Sequence, residues 1–145
     1  RFGKGLQLVN ILRDLPADLR KGRCYLPEPA LKSLGLTPLE LLKSDAEQQA
    51  RPLINRWLDQ AEAHLDAGWS YVLEVPFGWF RVRLGCAWPI LIGVKTLQEL
   101  KRGKILDGNT RIKVSRPDVK RIIRKSILGY FAPGWKNLPQ TIRNT

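Results

Sequence analysis

A long amphipathic segment in the middle of the chain constrains the fold more than any other feature of the sequence. Between residues 54 and 69, apolar residues recur at the three- and four-residue spacing of a single helix face. This face consists of Ile54, Trp57, Leu58, Ala61, Leu65 and Trp69. No stretch of the sequence alternates apolar and polar residues for long enough to demand a sheet. The sequence therefore predicts an all-α fold.

Proline, glycine and capping residues predict where the helices begin and end. The first helix is expected over about residues 1–15, because Pro16 removes the hydrogen bond to the Leu12 carbonyl. Capping boxes are predicted at Thr37–Glu40 and Ser44–Glu47, and a break over 74–79 separates the central helix from a buried helix over 81–100 that Pro89 bends. Ser115 and Asp118 are predicted to cap a last helix. The remaining predictions are one plausible strand over 110–115 and a loosely packed or extended tail from Ala132.

The composition limits both the class of protein and the class of partner. With 145 residues, 43% of them hydrophobic, the chain has the size of one domain and can bury a core, in which its five tryptophans are expected. The net charge of +12 predicts an anionic partner: a nucleic acid, a lipid surface or a phosphorylated small molecule. The two cysteines form no CxxC pair, which suits a reducing, cytoplasmic compartment. The longest apolar run, residues 84–94, is too short to cross a bilayer.

A polar stripe on the first helix carries the strongest chemical signal. At 100° per residue, Gln7, Asn10, Asp14 and Asp18 lie within about 80° of one another. The carboxylates of Asp14 and Asp18, one helical turn apart, repel each other, and a divalent cation between them relieves that repulsion. Mg²⁺ suits this site, since it accepts one or two carboxylates and takes its other ligands from water and phosphate oxygens. Groups that match phosphate surround the stripe, namely Arg13, Arg20, Lys21 and Arg23.

Residues 6–27, LQLVNILRDLPADLRKGRCYLP, resemble the second aspartate-rich segment of the squalene and phytoene synthases. In that family, a Gln-x-x-Asn-x-x-Arg-Asp-x-x-x-Asp helix is followed by Gly-Arg-x-Tyr/Phe-x-Pro. The matching positions are Gln7, Asn10, Arg13, Asp14, Asp18, Gly22, Arg23, Tyr25 and Pro27, whereas Pro16 departs from the commoner residues. Residues 83–100 and 111–116 are similar to the C-terminal part of squalene synthases and less like phytoene synthases.

The resemblance implies an isoprenoid-synthase-type helical bundle and a Mg²⁺-dependent reaction. Squalene synthases join two farnesyl diphosphates head to head to presqualene diphosphate, and then reduce the rearranged cation with NADPH to squalene. By resemblance, Asp14, Asp18 and Asn10 hold Mg²⁺. The residues that position or stabilise the diphosphate are then Gln7, Asn10, Arg13 and Arg23, with Arg13, Asp14 and Asp18 as the catalytic set.

The resemblance also implies a cofactor site and a larger enzyme. Arg111 and Lys113 resemble basic positions near the NADPH phosphates, although a solvated basic loop is the alternative. Residues 1–145 are expected to be the C-terminal part of a single domain, whose N-terminal half would carry the first aspartate-rich motif. The chain alone is then expected to be inactive. Peripheral association with an anionic membrane is a further expectation from the charge.

Two other functions fit parts of the sequence. A phytoene or dehydrosqualene synthase would share the aspartate site and need no reductant. The capped, basic segment over 115–128 would also suit a nucleic-acid-binding module. Because the basic residues are spread along the chain and that module leaves the polar stripe unexplained, no nucleic-acid partner is expected.

Overall fold

Helices account for all the regular secondary structure in the described part of the chain. The computed structural model describes residues 1–43, 45–108 and 112–145, and no strand occurs among them. This confirms the all-α prediction, while the plausible strand over 110–115 is not formed by its described residues, 112–115. The helices are α1 (Phe2–Arg20), α2 (Glu28–Lys32), α3 (Ala46–Glu74), α4 (Phe80–Arg102), α5 (Arg116–Leu128) and α6 (Leu138–Arg143), with 3-10 turns at Glu40–Leu42 and Pro133–Asn137.

The longest helices continue through prolines. The predicted end of α1 at about residue 15 is wrong, because the helix passes Pro16 and ends at Arg20. Pro16 is buried on the core side of α1, and its carbonyl accepts a hydrogen bond from Arg20 Nε at 3.2 Å. An interior proline costs a helix about 3 kcal/mol. Tertiary packing of the buried ring offsets that cost. The expectation that a proline ends the helix therefore fails here.

Close packing of α1, α3 and α4 forms the centre of the molecule. Leu65 of α3 is fully buried between Gly5 of α1 and Gly93 of α4. A β-carbon on Gly5 would lie 3.0 Å from Leu65 Cδ2, and one on Gly93 would lie 3.1 Å from Leu65 Cδ1. Because these glycines lack a side chain, the three helices approach closely around one leucine.

The tail after Ala132 is ordered and packed, so the prediction of a loose or extended tail is wrong. The indole of Trp135 is buried and donates to the Ser126 carbonyl at 2.9 Å. Trp69 packs against Trp135 with 5.0 Å between ring centroids and donates to the Lys136 carbonyl at 2.8 Å. Two large aromatic surfaces are thus removed from water, which stabilises the tail against the bundle.

One predicted capping box and one predicted helix cap are formed. The hydroxyl and the backbone N–H of Thr37 donate to the Glu40 carboxylate at 2.9 and 2.8 Å, and these two hydrogen bonds lower the pKa of Glu40. Only a 3-10 turn follows this box. Ser115 accepts from the Asp118 backbone at 3.2 Å and begins α5 as predicted. In the other predicted capping box, Ser44–Glu47, Ser44 lies outside the described residues.

Glu47 and Arg51 of α3 connect this helix to the end of α4 and to the loop after it. The Glu47 carboxylate accepts from the backbone N–H groups of Ile105 at 3.2 Å and Leu106 at 2.7 Å. Arg51 forms an ion pair with Glu47 at 3.0 Å and donates to the Gly103 carbonyl at 2.8 Å. The same guanidinium donates to the carbonyls of Leu100 and Lys101. Exposed C-terminal carbonyls of α4 are thereby satisfied, and residues 103–106 are held in place.

Within the described residues, no helix is both long enough and apolar enough to pass through a membrane.

We predict that Leu65→Ala lowers the free energy of unfolding by about 2–5 kcal/mol, because it leaves a cavity where three helices meet. Urea denaturation followed by circular dichroism measures this change. Leu39, which is 76% exposed, provides the matched control. Leu39→Ala is expected to change the free energy by at most about 0.5 kcal/mol. Equal losses in the two variants would contradict the packing described here.

We also predict that Glu47→Gln loosens the loop after α4, because a neutral amide accepts hydrogen bonds more weakly than a carboxylate. Hydrogen exchange at the Ile105 and Leu106 amides is expected to accelerate by about tenfold, which corresponds to about 1.4 kcal/mol. Glu28→Gln removes an exposed ion pair with Lys32 and serves as the control. Unchanged protection in Glu47→Gln would show that the carboxylate does not hold the loop.

Candidate active site

The polar stripe of α1 lies opposite the face that packs into the core. The buried residues of the helix are Gly5, Val9, Leu12, Leu15, Pro16 and Leu19. Gln7 and Asn10 are exposed, and Asp14 and Asp18 are half-buried. Because α1 is one continuous helix, the four predicted stripe residues share one outward face within an arc of about 80°. The aspartates therefore stand one turn apart at the surface of this chain.

Arg13 contacts the first aspartate directly. Its Nη2 lies 2.7 Å from Asp14 Oδ2, and its Nε lies 3.2 Å from Asp14 Oδ1. The hydrogen bond with Asp14 raises the pKa of Arg13 against the opposing effect of burial. Arg13 is therefore charged at any physiological pH, and it fixes the orientation of the Asp14 carboxylate.

The turn after α1 explains why a glycine precedes the arginine of the motif. Gly22 adopts a positive φ of 74°, which residues with a side chain rarely adopt. The N–H of Arg23 then donates to the Asp18 carbonyl at 2.9 Å, and the N–H of Gly22 donates to Leu19 at 2.9 Å. This double hydrogen bond is a Schellman motif, and it reverses the chain at the helix end. The backbone of Arg23 is thereby returned to the turn that carries Asp18, and its side chain is exposed.

The loop after α4 lies against the same end of α1. Arg20 Nη2 donates to the Gly108 carbonyl at 2.8 Å. A cleft of about 160 Å³ separates helix and loop, with Arg13 and Asp14 on one wall and Asp107 and Ile112 on the other. The sequence gives no local signal for this cleft, because Arg20 and Gly108 are 88 residues apart. Asp107 is accordingly a cleft residue that the motif alone does not predict. Of the predicted site residues that the structure describes, Arg13 and Asp14 line this cleft, whereas the others on α1 and in the turn after it, Gln7, Asn10, Asp18 and Arg23, do not.

The structure describes one of the two residues predicted to bind a cofactor. Arg111 lies outside the described residues. Lys113 is exposed and directly follows Ile112, which lines the cleft. The structure thus places Lys113 one residue from the wall that faces Asp14.

The oxygen donors on the stripe are of the chemical type that Mg²⁺ prefers. Asp14 and Asp18 offer carboxylate oxygens and Asn10 offers an amide oxygen, and Mg²⁺ prefers such hard ligands. Arg13 occupies part of the Asp14 carboxylate, but each carboxylate has about four lone-pair sites and can serve an arginine and a cation together. In the described part of the chain, no three His, Cys, Asp or Glu side chains converge as a metal cluster. A cation held on the stripe would therefore take most of its ligands from water or phosphate oxygens.

The relatives of the chain include several enzymes of isoprenoid metabolism. It is 38% identical to a presqualene diphosphate synthase of Zymomonas mobilis over 78 residues, which are 54% of the chain and 26% of that protein. It is 36% identical to a chloroplastic phytoene synthase of Daucus carota over 74 residues, 51% of the chain and 19% of that protein. Over 120 residues it is 28% identical to phytoene synthase 2 of Solanum lycopersicum, 80% of the chain and 36% of that protein. The chain thus spans a minor part of these curated relatives.

No solved structure matches the chain. A family model, in contrast, covers both the stripe and the cleft. The profile described as squalene/phytoene synthase matches residues 1–118, which include all of α1, the turn at Gly22 and the loop after α4. The chain therefore belongs to the squalene/phytoene synthase family.

Proposed function

We propose that this chain supplies one wall of a Mg²⁺-diphosphate site in an enzyme that joins two prenyl diphosphates head to head. The family consists of prenyltransferases of this kind. The observation that carries the proposal is the continuous helix α1, which presents Asn10, Asp14 and Asp18 on the face opposite the core. These are the residues that match the family motif.

The chemical problem in this reaction is the departure of diphosphate from an allylic carbon. Mg²⁺, when bound, stabilises the negative charge that develops on the leaving oxygens. Asp14 and Asp18 would hold the ion from one side, and Asn10 and Gln7 would orient the ion and the diphosphate. Water and the phosphate oxygens of the substrate would supply the remaining ligands.

The arginines around the stripe would act on the same leaving group. Arg13 is already held beside Asp14 by two hydrogen bonds, which leaves its other N–H groups for the diphosphate. Arg23 emerges from the Schellman turn next to Asp18. Guanidinium groups match phosphate oxygens in a bidentate manner, and both arginines would stabilise the departing diphosphate.

For the substrate we propose farnesyl diphosphate, which would give presqualene diphosphate as the first product and squalene as the second. The relative in Zymomonas mobilis, named for presqualene diphosphate, supports the first step. Reduction to squalene requires NADPH, and Arg111 and Lys113 are the residues proposed to bind its phosphates. Lys113 supports this role through its position beside the cleft.

A phytoene or dehydrosqualene synthase is the second candidate, and the phytoene synthases among the relatives favour it. Such an enzyme would use the same aspartate site and no reductant. Product analysis of an active enzyme that carries this sequence separates the two. A squalene synthase accumulates presqualene diphosphate without NADPH and forms squalene with it, whereas the products of the second candidate do not depend on NADPH.

We predict that Asp14→Asn and Asp18→Asn each weaken Mg²⁺-dependent binding of inorganic diphosphate to the chain by at least about tenfold, because an amide carries no charge for the ion. Isothermal titration calorimetry with and without Mg²⁺ measures this effect. In an active enzyme that carries this sequence, Asp14→Asn is expected to abolish the first condensation.

The matched control is Asp59→Asn on α3, which removes the same charge from an exposed pair with Lys101. This variant is expected to bind diphosphate like the parent chain. The proposal fails if the parent shows no Mg²⁺-dependent binding, or if both stripe variants bind as tightly as the control while circular dichroism shows intact helices.

A further inference from the structure

A small pocket lies between the last three helices of the chain. Helices α5 and α6 both pack against α4, and residues of all three helices line the space that remains between them. The volume of this pocket is about 140 Å³. Cavities of similar volume bind a molecule of the size of benzene. The pocket is therefore large enough for a small organic ligand.

Apolar side chains form one part of the pocket lining. Ile122 of α5 and Ile142 of α6 are each 7% exposed, and Leu138 at the start of α6 packs against the core. All three line the pocket. An apolar group that covers these side chains is removed from water, which favours its binding.

Three cationic side chains form another part of the lining, namely Lys95 of α4 and Arg121 and Lys125 of α5. The side chain of Lys95 is only 11% exposed. Its ammonium group donates to the Gln98 side-chain oxygen at 2.6 Å and pairs with Glu99 at 3.0 Å. Because an ammonium group has three N–H donors, one donor of Lys95 remains for a ligand.

Carboxylates offset two of these three positive charges. Glu99 pairs with Lys95, and Asp118, which also lines the pocket, pairs with Arg121 at 3.1 Å. Lys125 forms no ion pair with any residue that the structure describes. It follows Arg121 by four residues, and like charges at this spacing destabilise a helix. A bound anion would balance the third charge and relieve this repulsion.

Two hydrogen bonds hold α5 and α6 in place around the pocket. Trp88 of α4 donates to the Ser126 hydroxyl of α5 at 2.9 Å, and Gln98 of α4 donates to the Arg143 carbonyl of α6 at 2.6 Å. Gln98 is 8% exposed, so its bond is shielded from water. The pocket is therefore preformed, and a ligand would not have to order either helix, which lowers the cost of binding.

We propose that this pocket binds a small oxyanion that carries a short apolar group, either a carboxylate or a phosphate monoester. Lys95, Arg121 and Lys125 would bind the anionic head, because ammonium and guanidinium groups form charge-assisted hydrogen bonds with oxyanions. The apolar group would pack against the isoleucines of α5 and α6. Since the cationic side chains belong to α4 and α5, one head group would bridge these two helices.

The pocket is separate from the candidate active site. No described residue lines both the pocket and the cleft beside Asp14. The proposal goes beyond the proposed function, since it concerns a second ligand. Diphosphate binding at the stripe is expected to require Mg²⁺, whereas binding at the pocket is not. The two proposals can therefore fail independently.

Nuclear magnetic resonance titration of the labelled chain with isovalerate and with isobutyl phosphate, both without Mg²⁺, tests the proposal. Saturable amide shifts are expected at residues 121–125 and 138–142. Three weaker ligands show what the pocket recognises. Isovaleramide lacks the charge, whereas acetate and inorganic phosphate lack the apolar group. Each is expected to bind at least about fivefold more weakly than the probe that it matches.

Variants of α5 test the role of the charge. Lys125→Gln is expected to weaken binding of both probes by at least about fivefold, whereas Lys125→Arg is expected to retain it. Lys120→Gln and Arg124→Gln are the matched controls, since each removes one exposed positive charge from the same helix at a position that does not line the pocket. Both controls are expected to bind like the parent chain. Because all three side chains are exposed, circular dichroism is expected to show unchanged helix content.

Absence of saturable shifts at the pocket with both probes would overturn the proposal. Binding of isovaleramide as tight as that of isovalerate would overturn it too, because the cations would then have no role. Equal binding of acetate and isovalerate would contradict the apolar part of the site. Equal losses in Lys125→Gln and its two controls would assign the attraction to the net charge of α5 and not to the pocket.

Discussion

The contact of Leu65 with Gly5 and Gly93 determines how the rest of the structure is arranged. It brings α1 so close to α3 and α4 that only one face of α1 can turn inward. The outward face is then fixed, and it is the face that carries Asp14 and Asp18. The position of the carboxylates thus follows from helix packing around a single leucine. A side chain at either glycine would separate the helices or rotate them about their axes.

Polar contacts extend this arrangement from the core to the cleft. Glu47 and Arg51 satisfy backbone groups at the end of α4 and in the loop after it. The loop then reaches α1, where Arg20 donates to Gly108. The end of α1 and the loop after α4 are in this way held together beside Asp14. Charged hydrogen bonds to backbone groups are suited to this task, because they fix distance and direction more tightly than apolar contacts.

Much of the site could be predicted from the sequence, because its signals are local. The spacing of Asp14 and Asp18 on one helix and the glycine at position 22 both act within a few residues. The continuation of α1 through Pro16 could not be predicted, because it depends on burial of the ring against other helices. The position of Asp107 in the cleft could not be predicted either, because it depends on the distant helix α1. The same is true of the packed tail around Trp135, which depends on contacts with α3. Trp79 is a different case. The sequence predicts it in the core with the other tryptophans, but it is 64% exposed, and an exposed indole and a buried one have the same local sequence signature.

The central claim is that the stripe on α1 binds a divalent cation together with diphosphate. Nuclear magnetic resonance of the labelled chain tests it most directly, with Mn²⁺ in place of Mg²⁺ and inorganic diphosphate present. Paramagnetic broadening is predicted to be strongest at the amides of Asn10, Asp14 and Asp18, and to require diphosphate. Broadening centred on the acidic residues Asp59, Glu62 and Asp66 of α3, or spread evenly over the chain, would contradict the account.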